Sequence, residues 1–245
     1  MEYFSNRRTI RNYKPEKVSD SLIDSIIESA AKAPTCGNMQ LYSVVVTKDD
    51  AGKKALAPLH FNQPMIEGCS HVLTICADYN RFARWCEVSH TDPGCDNILS
   101  FINAMTDAVI FAQQIVTIAE MNGLGTCYLG TVSYNAAQIA EALRLPEMVI
   151  PVACVTVGYP DDKGEETERL GLDAIRFDGT YPELTDDDIR DLYREKEAYE
   201  PNKKYVEENG KDNLAQVFAE VRYPRAMNEE FSASFIEFLK KQRFL

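Results

Sequence analysis

The chain has 245 residues, of which 45% are hydrophobic and 26% are charged. This balance is that of a globular protein able to bury a substantial core. The formal net charge of −12 disfavours any general affinity for nucleic acid or for an anionic membrane, because both need a positive surface potential. An anionic ligand would therefore have to be held by a local basic cluster.

The cysteines and the first residues of the chain indicate the cellular compartment in which the protein is expected. The seven cysteines are scattered and form no CxxC pair, and the first residues carry neither the charged nor the apolar stretch of a signal peptide. We therefore expect reduced thiols in a cytoplasmic protein. No metal site is predicted, since the spacing of Cys86, His90 and Cys95 matches no zinc motif. No membrane span is predicted either, because polar side chains interrupt the longest apolar segment, 98–122.

The sequence pattern predicts two helices and two strands in the first hundred residues. Ser19 is placed to cap a helix over 20–32 that Pro34 stops. A polar loop, 35–38, then leads into a buried strand over 41–47. A short helix over 51–59 and a second strand over 71–77 follow. The side chains of Tyr79, Phe82 and Trp85 suit either an aromatic pocket or the core, and the sequence does not decide between them.

The helix over 98–122 carries apolar residues at helical spacing through about seven turns. Gly123 suits the position after its end, and 125–130 is a short strand or turn. Asn135, with Gln138 three residues on, predicts a capping box for a helix that ends at 145–146. A strand over 149–158 follows. Strands and helices mix throughout 1–160 without a repeat, which indicates a layered α/β or α+β protein.

Beyond residue 160 the composition changes. The stretch 161–188 is rich in Asp, Glu, Gly and Pro and predicts a long surface excursion. A charged helix over 186–199 and an amphipathic helix over 228–242 follow. The terminal helix repeats Phe231, Phe235, Phe238 and Leu239 on one face, and such a helix needs a surface on which to dock. We expect that surface to belong to a partner subunit.

Two motifs could bind a ligand. Residues 7–11 supply three arginines and a threonine, a set that matches phosphate through bidentate forks and a hydroxyl; the alternative is a solvated basic patch. Residues 123–130 miss the G-x-G-x-x-G spacing and follow a helix, so a Rossmann domain is rejected. They form either a loop whose backbone a flat ligand can approach or simply a helix end with a tight strand entry.

Hydrolytic chemistry finds little support in the sequence. No G-x-S-x-G elbow is present, and the three histidines lie near no recognisable acid pair. Cys36 could be a nucleophile or merely a small loop residue, and no base is placed beside it. No catalytic side chain is therefore predicted.

Taken in order, these motifs resemble the nitroreductase family, most closely the branch with the major oxygen-insensitive NADPH nitroreductase and the P-type flavin reductase. The resemblance covers most of the chain. It rests on the basic opening at 7–13, the loop at 33–40, Gln63 before the second strand, the Gly-Leu-Gly segment at 123–130, and the motif at 145–160. It implies an α+β, three-layer fold with a mostly antiparallel central sheet flanked by helices. It also implies a homodimer that exchanges its C-terminal extension.

Carried over position by position, the resemblance implies that FMN is bound by Arg7, Arg8, Thr9, Arg11, Thr35, Cys36, Gly37, Gln63, Tyr128, Leu129, Gly130 and Arg169. The segment 7–11 would hold the phosphate and ribityl oxygens, Gln63 the ring edge, and 128–130 would present backbone. Two departures stand out. Thr167 occupies the position of a family lysine, which removes one phosphate partner, and Thr35-Cys36-Gly37 replaces a serine run.

The resemblance implies an FMN-dependent NAD(P)H oxidoreductase that reduces nitroaromatics, quinones or related small molecules by a ping-pong two-electron mechanism. The alternatives are a flavin reductase and a flavin-binding sensor or store without turnover. Residues 1–160 would be the FMN-binding core, and 161–245 the excursion and extension that wrap the partner, together forming one structural domain. Lys203, Lys204 and Lys211 stand near Glu207 and Glu208, so we expect modest discrimination between NADPH and NADH.

Overall fold

The computed structural model describes residues 2–245. These residues group into two compact units, one made of residues 2–165 with Phe231–Leu245 and the other of Glu166–Glu230. The proposed functional division at residue 160 stays a prediction.

The first unit is built on a four-stranded antiparallel sheet. Its strands are β1 (Tyr42–Thr47), β2 (His71–Asp78), β3 (Gly125–Leu129) and β4 (Val149–Gly158), in the order β1-β2-β4-β3. Every residue of β2 is buried, as expected for a central strand covered on both faces. The α+β class with an antiparallel sheet is therefore confirmed.

Helices cover both faces of this sheet, which confirms the three layers. On one face, alternate strand residues such as Leu73 and Val155 pack with α2 (Asp20–Ala30) and α6 (Ile98–Met121). On the other, Val72 and Cys154 pack with α3 (Asp50–Leu56), α4 (Met65–Gly68) and α7 (Ala136–Ala142). The register between β2 and β4 shifts at Ile75 and Cys76, opposite Pro151, where a residue without an N–H fits a bulge.

Helix α6 is the central helix of the unit. The side chain of Asn97 caps it by accepting from the Ser100 amide at 3.0 Å, and the ring of Phe111 stacks on Tyr42 with centroids 4.1 Å apart. Among residues 2–245, α6 is the one helix long and apolar enough to cross a membrane. Its buried face is packed against the sheet, as in the core helix of a globular protein.

Several local predictions need correction. The predicted helix over 51–59 ends at Leu56 and continues as the 3₁₀ turn Ala57–His60. The capping box at Asn135 is wrong, because that side chain donates instead to the Leu59 carbonyl at 2.8 Å. Helix α7 ends at Ala142 rather than at 145–146.

Three further helices of the first unit were not predicted, α1 (Glu2–Ser5), α4 (Met65–Gly68) and α5 (Asn80–Val88). Helix α5 answers the question that the sequence left open about the aromatic residues near it. Tyr79 is buried in the core, whereas Trp85 is 63% exposed.

The last helix of the chain, α11 (Arg225–Lys241), confirms the predicted amphipathic helix over 228–242 but begins three residues earlier. Its residues Phe238 and Leu239 are buried within their own chain, in a cluster with Phe101 and Phe244. This part of the apolar face therefore does not need a partner subunit to cover it. Exchange of the extension between subunits stays a prediction.

The second unit is helical. It contains α8 (Asp186–Ala198), α9 (Glu200–Glu208), α10 (Leu214–Gln216) and a π-helical turn, Val217–Arg222. Thr185 forms a capping box with Asp188 at the start of α8, which explains why that helix begins where the sequence predicts. The stretch 200–222, for which the sequence predicts no element, is largely helical.

Candidate cofactor site

The basic segment 7–11 lies along the start of β3. The Ile10 amide donates to the Thr126 carbonyl at 2.9 Å, and the buried Ile10 side chain covers Gly125. A Cβ on Gly125 would lie 2.6 Å from the Cβ of Ile10, so only glycine permits this approach. Two of the sequence motifs are therefore in direct contact, although more than 110 residues separate them.

Glu120, near the C-terminal end of α6, anchors this contact. Its carboxylate lies 3.3 Å from the Arg7 guanidinium, accepts from the Tyr3 hydroxyl at 2.7 Å and accepts from the Thr126 hydroxyl. An acidic side chain at a helix C-terminus is unfavourable by itself, and a nearby cation offsets that cost. The charge of Arg7 is therefore partly balanced within the protein.

Arg11, like Arg7, lies near β3. Burial raises the pKa of the Cys127 thiol on β3, and the positive charges of Arg11 and Arg7 oppose that rise. The Arg8 guanidinium donates to the Arg7 carbonyl at 3.2 Å. A cavity of about 620 Å³ opens beside the segment, and Arg7, Arg8 and Lys163 line part of it. The acidic side chains of Glu120 and Asp162 line it too, so the cavity carries a small excess of positive charge.

The end of β3 leads from this basic region to an open stretch of backbone. Leu129 is buried and Tyr128 is 38% exposed. A Cβ on the next residue, Gly130, would meet nothing within 4 Å. A flat ligand can therefore approach the main chain here, as the sequence suggests for a backbone-exposing loop.

The Gln63 side chain lies close to Thr131, the residue that follows Gly130. Its carboxamide nitrogen lies 3.4 Å from the Thr131 hydroxyl and donates to the His60 carbonyl at 3.2 Å. The His60 ring nitrogen Nδ1 lies 2.8 Å from the same Thr131 hydroxyl. Burial lowers the pKa of His60 to about 4, so its ring is neutral near pH 7.

The loop of Thr35, Cys36 and Gly37 is held by α6 rather than by β3. Buried Asp107 accepts from the Thr35 hydroxyl at 2.7 Å and from the Cys36 amide at 2.8 Å. Gly37 adopts a φ of 55°, which glycine tolerates without strain. Asp107 precedes Glu120 by 13 residues of one helix, so the loop lies about 20 Å along α6 from the Arg7 contact.

Arg169 belongs to the second unit, where its partners are local. Its guanidinium donates to the Thr167 hydroxyl at 2.7 Å and to the Glu168 carbonyl at 2.8 Å. Thr167, the residue that departs from the family pattern, thus orients Arg169 instead of supplying a second charge. Its role toward a phosphate stays a prediction.

Sequence reasoning missed four residues that organise the site, namely Asp107, Glu120, His60 and Thr131. A signal existed for the two carboxylates, since each interrupts an otherwise apolar helix and a buried charge needs partners. For His60 and Thr131 no local signal existed, because their contact joins residues 71 positions apart.

The comparisons with known proteins agree with this geometry. The model of the nitroreductase family matches residues 4–87 and 99–159. A crystal structure from Bacteroides fragilis, assigned to the oxidoreductases, is 44% identical with a TM-score of 0.98, and the match covers 100% of both chains.

Two Bacillus subtilis proteins are similar as well. The protein named FMN reductase (NADPH) is 31% identical over 208 residues, which are 80% of this chain and 84% of that protein. The protein named FMN reductase [NAD(P)H] is 30% identical over 251 residues, 98% and 95% of the two chains. The chain belongs to the nitroreductase family.

Proposed function

We propose that this member of the nitroreductase family is an FMN-dependent NAD(P)H oxidoreductase that reduces nitroaromatics, quinones or related small molecules. The observation that carries the proposal is the contact of the basic segment 7–11 with the start of β3, the strand whose other end leads to the exposed backbone of Gly130. FMN has the same two parts, an anionic phosphate and a flat ring. The relatives' names, which specify FMN reduction and NADPH, support this assignment.

The residues fit the cofactor as follows. Arg8, Thr9 and Arg11 hold the phosphate and ribityl oxygens, because arginine forks match phosphate geometry. Arg7 assists them less than its charge suggests, because it is already paired with Glu120. FMN, when bound, supplies the two-electron chemistry, and the protein supplies position and electrostatics. This arrangement requires no dedicated catalytic side chain, and the sequence predicts none.

We also propose that the enzyme works as a homodimer. The loop of Thr35, Cys36 and Gly37 and the Arg7 contact lie about 20 Å apart on one helix, which favours two copies that each contribute one part of every FMN site. Sedimentation of the FMN-loaded protein should give the mass of a dimer. A monomer with one tightly bound FMN per chain would contradict this arrangement.

The decisive test is spectroscopic. We expect purified protein to be yellow with bound FMN, and the absorbance of the oxidised flavin to bleach when NADPH or NADH is added without oxygen. A nitroaromatic or a quinone, added next, should restore the colour. Protein that binds FMN but does not bleach would be a sensor or store, and protein that refuses FMN would contradict the proposal as a whole.

Discrimination between NADPH and NADH should be modest. The three lysines of the 200–212 stretch are each paired with a glutamate: Lys203 with Glu200, Lys204 with Glu208, and Lys211 with Glu220. Paired lysines offer a weak site for the 2′-phosphate of NADPH. We expect the kcat/KM values for the two coenzymes to lie within about tenfold, which corresponds to about 1.4 kcal/mol. A much stronger preference would contradict this reasoning.

A flavin reductase is the second candidate, favoured by the names of the two Bacillus subtilis relatives. Free FMN would then be the acceptor rather than a nitroaromatic. Steady-state rates with both acceptor classes, measured with the same enzyme and coenzyme, separate the two functions.

A further inference from the structure

His60 is the buried histidine of the 3₁₀ turn Ala57–His60, and neither the sequence motifs nor the proposed FMN contacts include it. Its side chain is fully buried, its Nδ1 faces the Thr131 hydroxyl at 2.8 Å, and within residues 2–245 its Nε2 has no hydrogen-bond partner. Buried polar atoms are nearly always paired, so the unpartnered nitrogen calls for an explanation.

The orientation of Gln63 is fixed by the backbone beside it. The His60 carbonyl can only accept a hydrogen bond, so the Gln63 group that lies 3.2 Å from it must be the amide nitrogen. The carbonyl oxygen of Gln63 consequently points the other way. Among the described residues it receives no donor, and it remains an acceptor for something outside the chain.

The tautomer of His60 determines the orientation of the Thr131 hydroxyl. If Nε2 carried the proton, a buried N–H would be left without an acceptor, which costs more than a buried lone pair without a donor. We therefore assign the proton to Nδ1, which donates to the Thr131 hydroxyl oxygen. The low pKa of the ring keeps it neutral. Gln63 also donates to this oxygen, so the hydroxyl hydrogen of Thr131 is turned away from both.

The Thr131 hydroxyl is therefore a hydrogen-bond donor that lies beside an acceptor, the side-chain carbonyl of Gln63. Thr131 directly follows Gly130, whose Cα faces open space, and both Thr131 and Gln63 are partly exposed. An oriented hydroxyl donor next to an amide carbonyl matches a ligand edge on which a carbonyl stands beside an N–H. The imide edge of a flavin ring, at N3–H and its flanking carbonyls, has this pattern.

We propose that His60 is a positioning residue that fixes Thr131 as a donor beside the Gln63 carbonyl, and that this pair recognises the imide edge of the flavin. The inference rests on the proposed function, because it takes FMN as the ligand. It goes beyond that function by naming the edge of the flavin ring that the protein contacts and the buried residue that orients this contact.

The test compares matched variants by their dissociation constants for FMN, measured by quenching of flavin fluorescence. Thr131→Val removes the hydroxyl and should weaken binding about five- to tenfold, the effect of one hydrogen bond, whereas Thr131→Ser keeps it and should bind like the wild type. His60→Leu should weaken binding as much as Thr131→Val does. His60→Asn, which keeps an N–H near the position of Nδ1, should restore it.

A double-mutant cycle then decides whether His60 acts through Thr131. The variant carrying both His60→Leu and Thr131→Val should bind FMN no more weakly than either single variant. The infrared carbonyl bands of bound flavin should move to higher frequency in Thr131→Val and in His60→Leu by the same amount. Additive losses, or carbonyl bands that do not move in His60→Leu, would overturn the positioning role. Circular dichroism confirms folding, and if His60→Leu does not fold, the two Thr131 variants and His60→Asn carry the test.

A flavin methylated at N3 tests the acceptor side. Wild-type protein should bind N3-methyl-FMN about tenfold more weakly than FMN, and Gln63→Leu should bind the two nearly alike. Equal binding of both flavins by the wild type would overturn the inference while leaving the proposed function intact. Failure of the wild type to bind FMN at all would instead overturn the proposed function.

Discussion

The most direct test of the site's construction is Asp107→Asn. Asp107 is 2% exposed. One of its oxygens accepts from the Cys36 amide, and the other accepts from the Thr35 hydroxyl and, at 3.3 Å, from the Leu41 amide. Asparagine keeps the first bond but turns an NH₂ group toward the buried Leu41 N–H. Thr35 cannot easily compensate, because its oxygen already accepts from the Gln40 amide at 2.8 Å.

The loss of stability in Asp107→Asn can be estimated from these contacts. One buried N–H without a partner costs about 1–3 kcal/mol, and the bonds that remain lose the contribution of the charge. We expect Asp107→Asn to lower the free energy of unfolding of the apoprotein by about 2–3 kcal/mol, or the Tm by roughly 5–10 °C for a chain of this size. FMN should also bind more weakly, since the loop of Thr35 and Cys36 is freed.

Urea unfolding followed by circular dichroism measures the effect. The matched control is Asp24→Asn, the same exchange at an exposed position of α2, which should change the free energy of unfolding by less than about 0.5 kcal/mol. If Asp107→Asn were as stable as this control, the carboxylate would not hold the loop.

Three further predictions concern other parts of the site. Gly125→Ala forces Ile10 aside and should destabilise the protein by about 1–3 kcal/mol in urea unfolding, whereas Gly68→Ala, with nothing within 4 Å, should be close to neutral. Because the pKa of His60 is about 4 when folded and 6.5 in its ordinary state, the unfolded chain gains a proton first on acidification. Between pH 7 and pH 5 the wild type should therefore lose about 2 kcal/mol more stability than His60→Asn, and parallel losses would show that His60 does not titrate as described. Arg8→Ala should weaken FMN binding while hydride transfer at saturating FMN is retained, with Arg8→Lys intermediate because it lacks the fork; full FMN occupancy with lost turnover would contradict an anchoring role.

Local patterns were sufficient for most elements of the first unit. Helices α2 and α6 follow from apolar spacing, and the cap of α2 at Ser19 was predicted as well. Strands β1, β2 and β4 follow from short apolar runs, whereas the segment of β3 was predicted as either a strand or a turn. The capping box at Asn135 was wrong because a carbonyl far away in sequence, that of Leu59, competed for the same side chain. Long-range partners of this kind leave no mark in a local pattern.

The site itself was predictable in parts but not in arrangement. Residues 7–11 and 123–130 each suggested a ligand, yet their contact depends on a glycine that admits Ile10. Nothing local indicates which of twelve glycines meets which side chain. The family resemblance supplied the association, and the structure supplies its physical cause.

Helix α6 explains why the two parts of the site are held so far apart. Asp107 and Glu120 interrupt its apolar surface, and in the sequence they served only to disfavour a membrane span. Each is buried or nearly so and is stabilised by donors from a separate segment, the loop at Thr35 and the N-terminal Arg7. Because a helix is stiff and rises about 1.5 Å per residue, their separation of 13 residues sets the distance between the two segments. Moving either carboxylate by one residue would turn it about 100° around the helix and detach its segment. The acidic residues of α6 are therefore as important to the proposed site as the arginines that first suggested it.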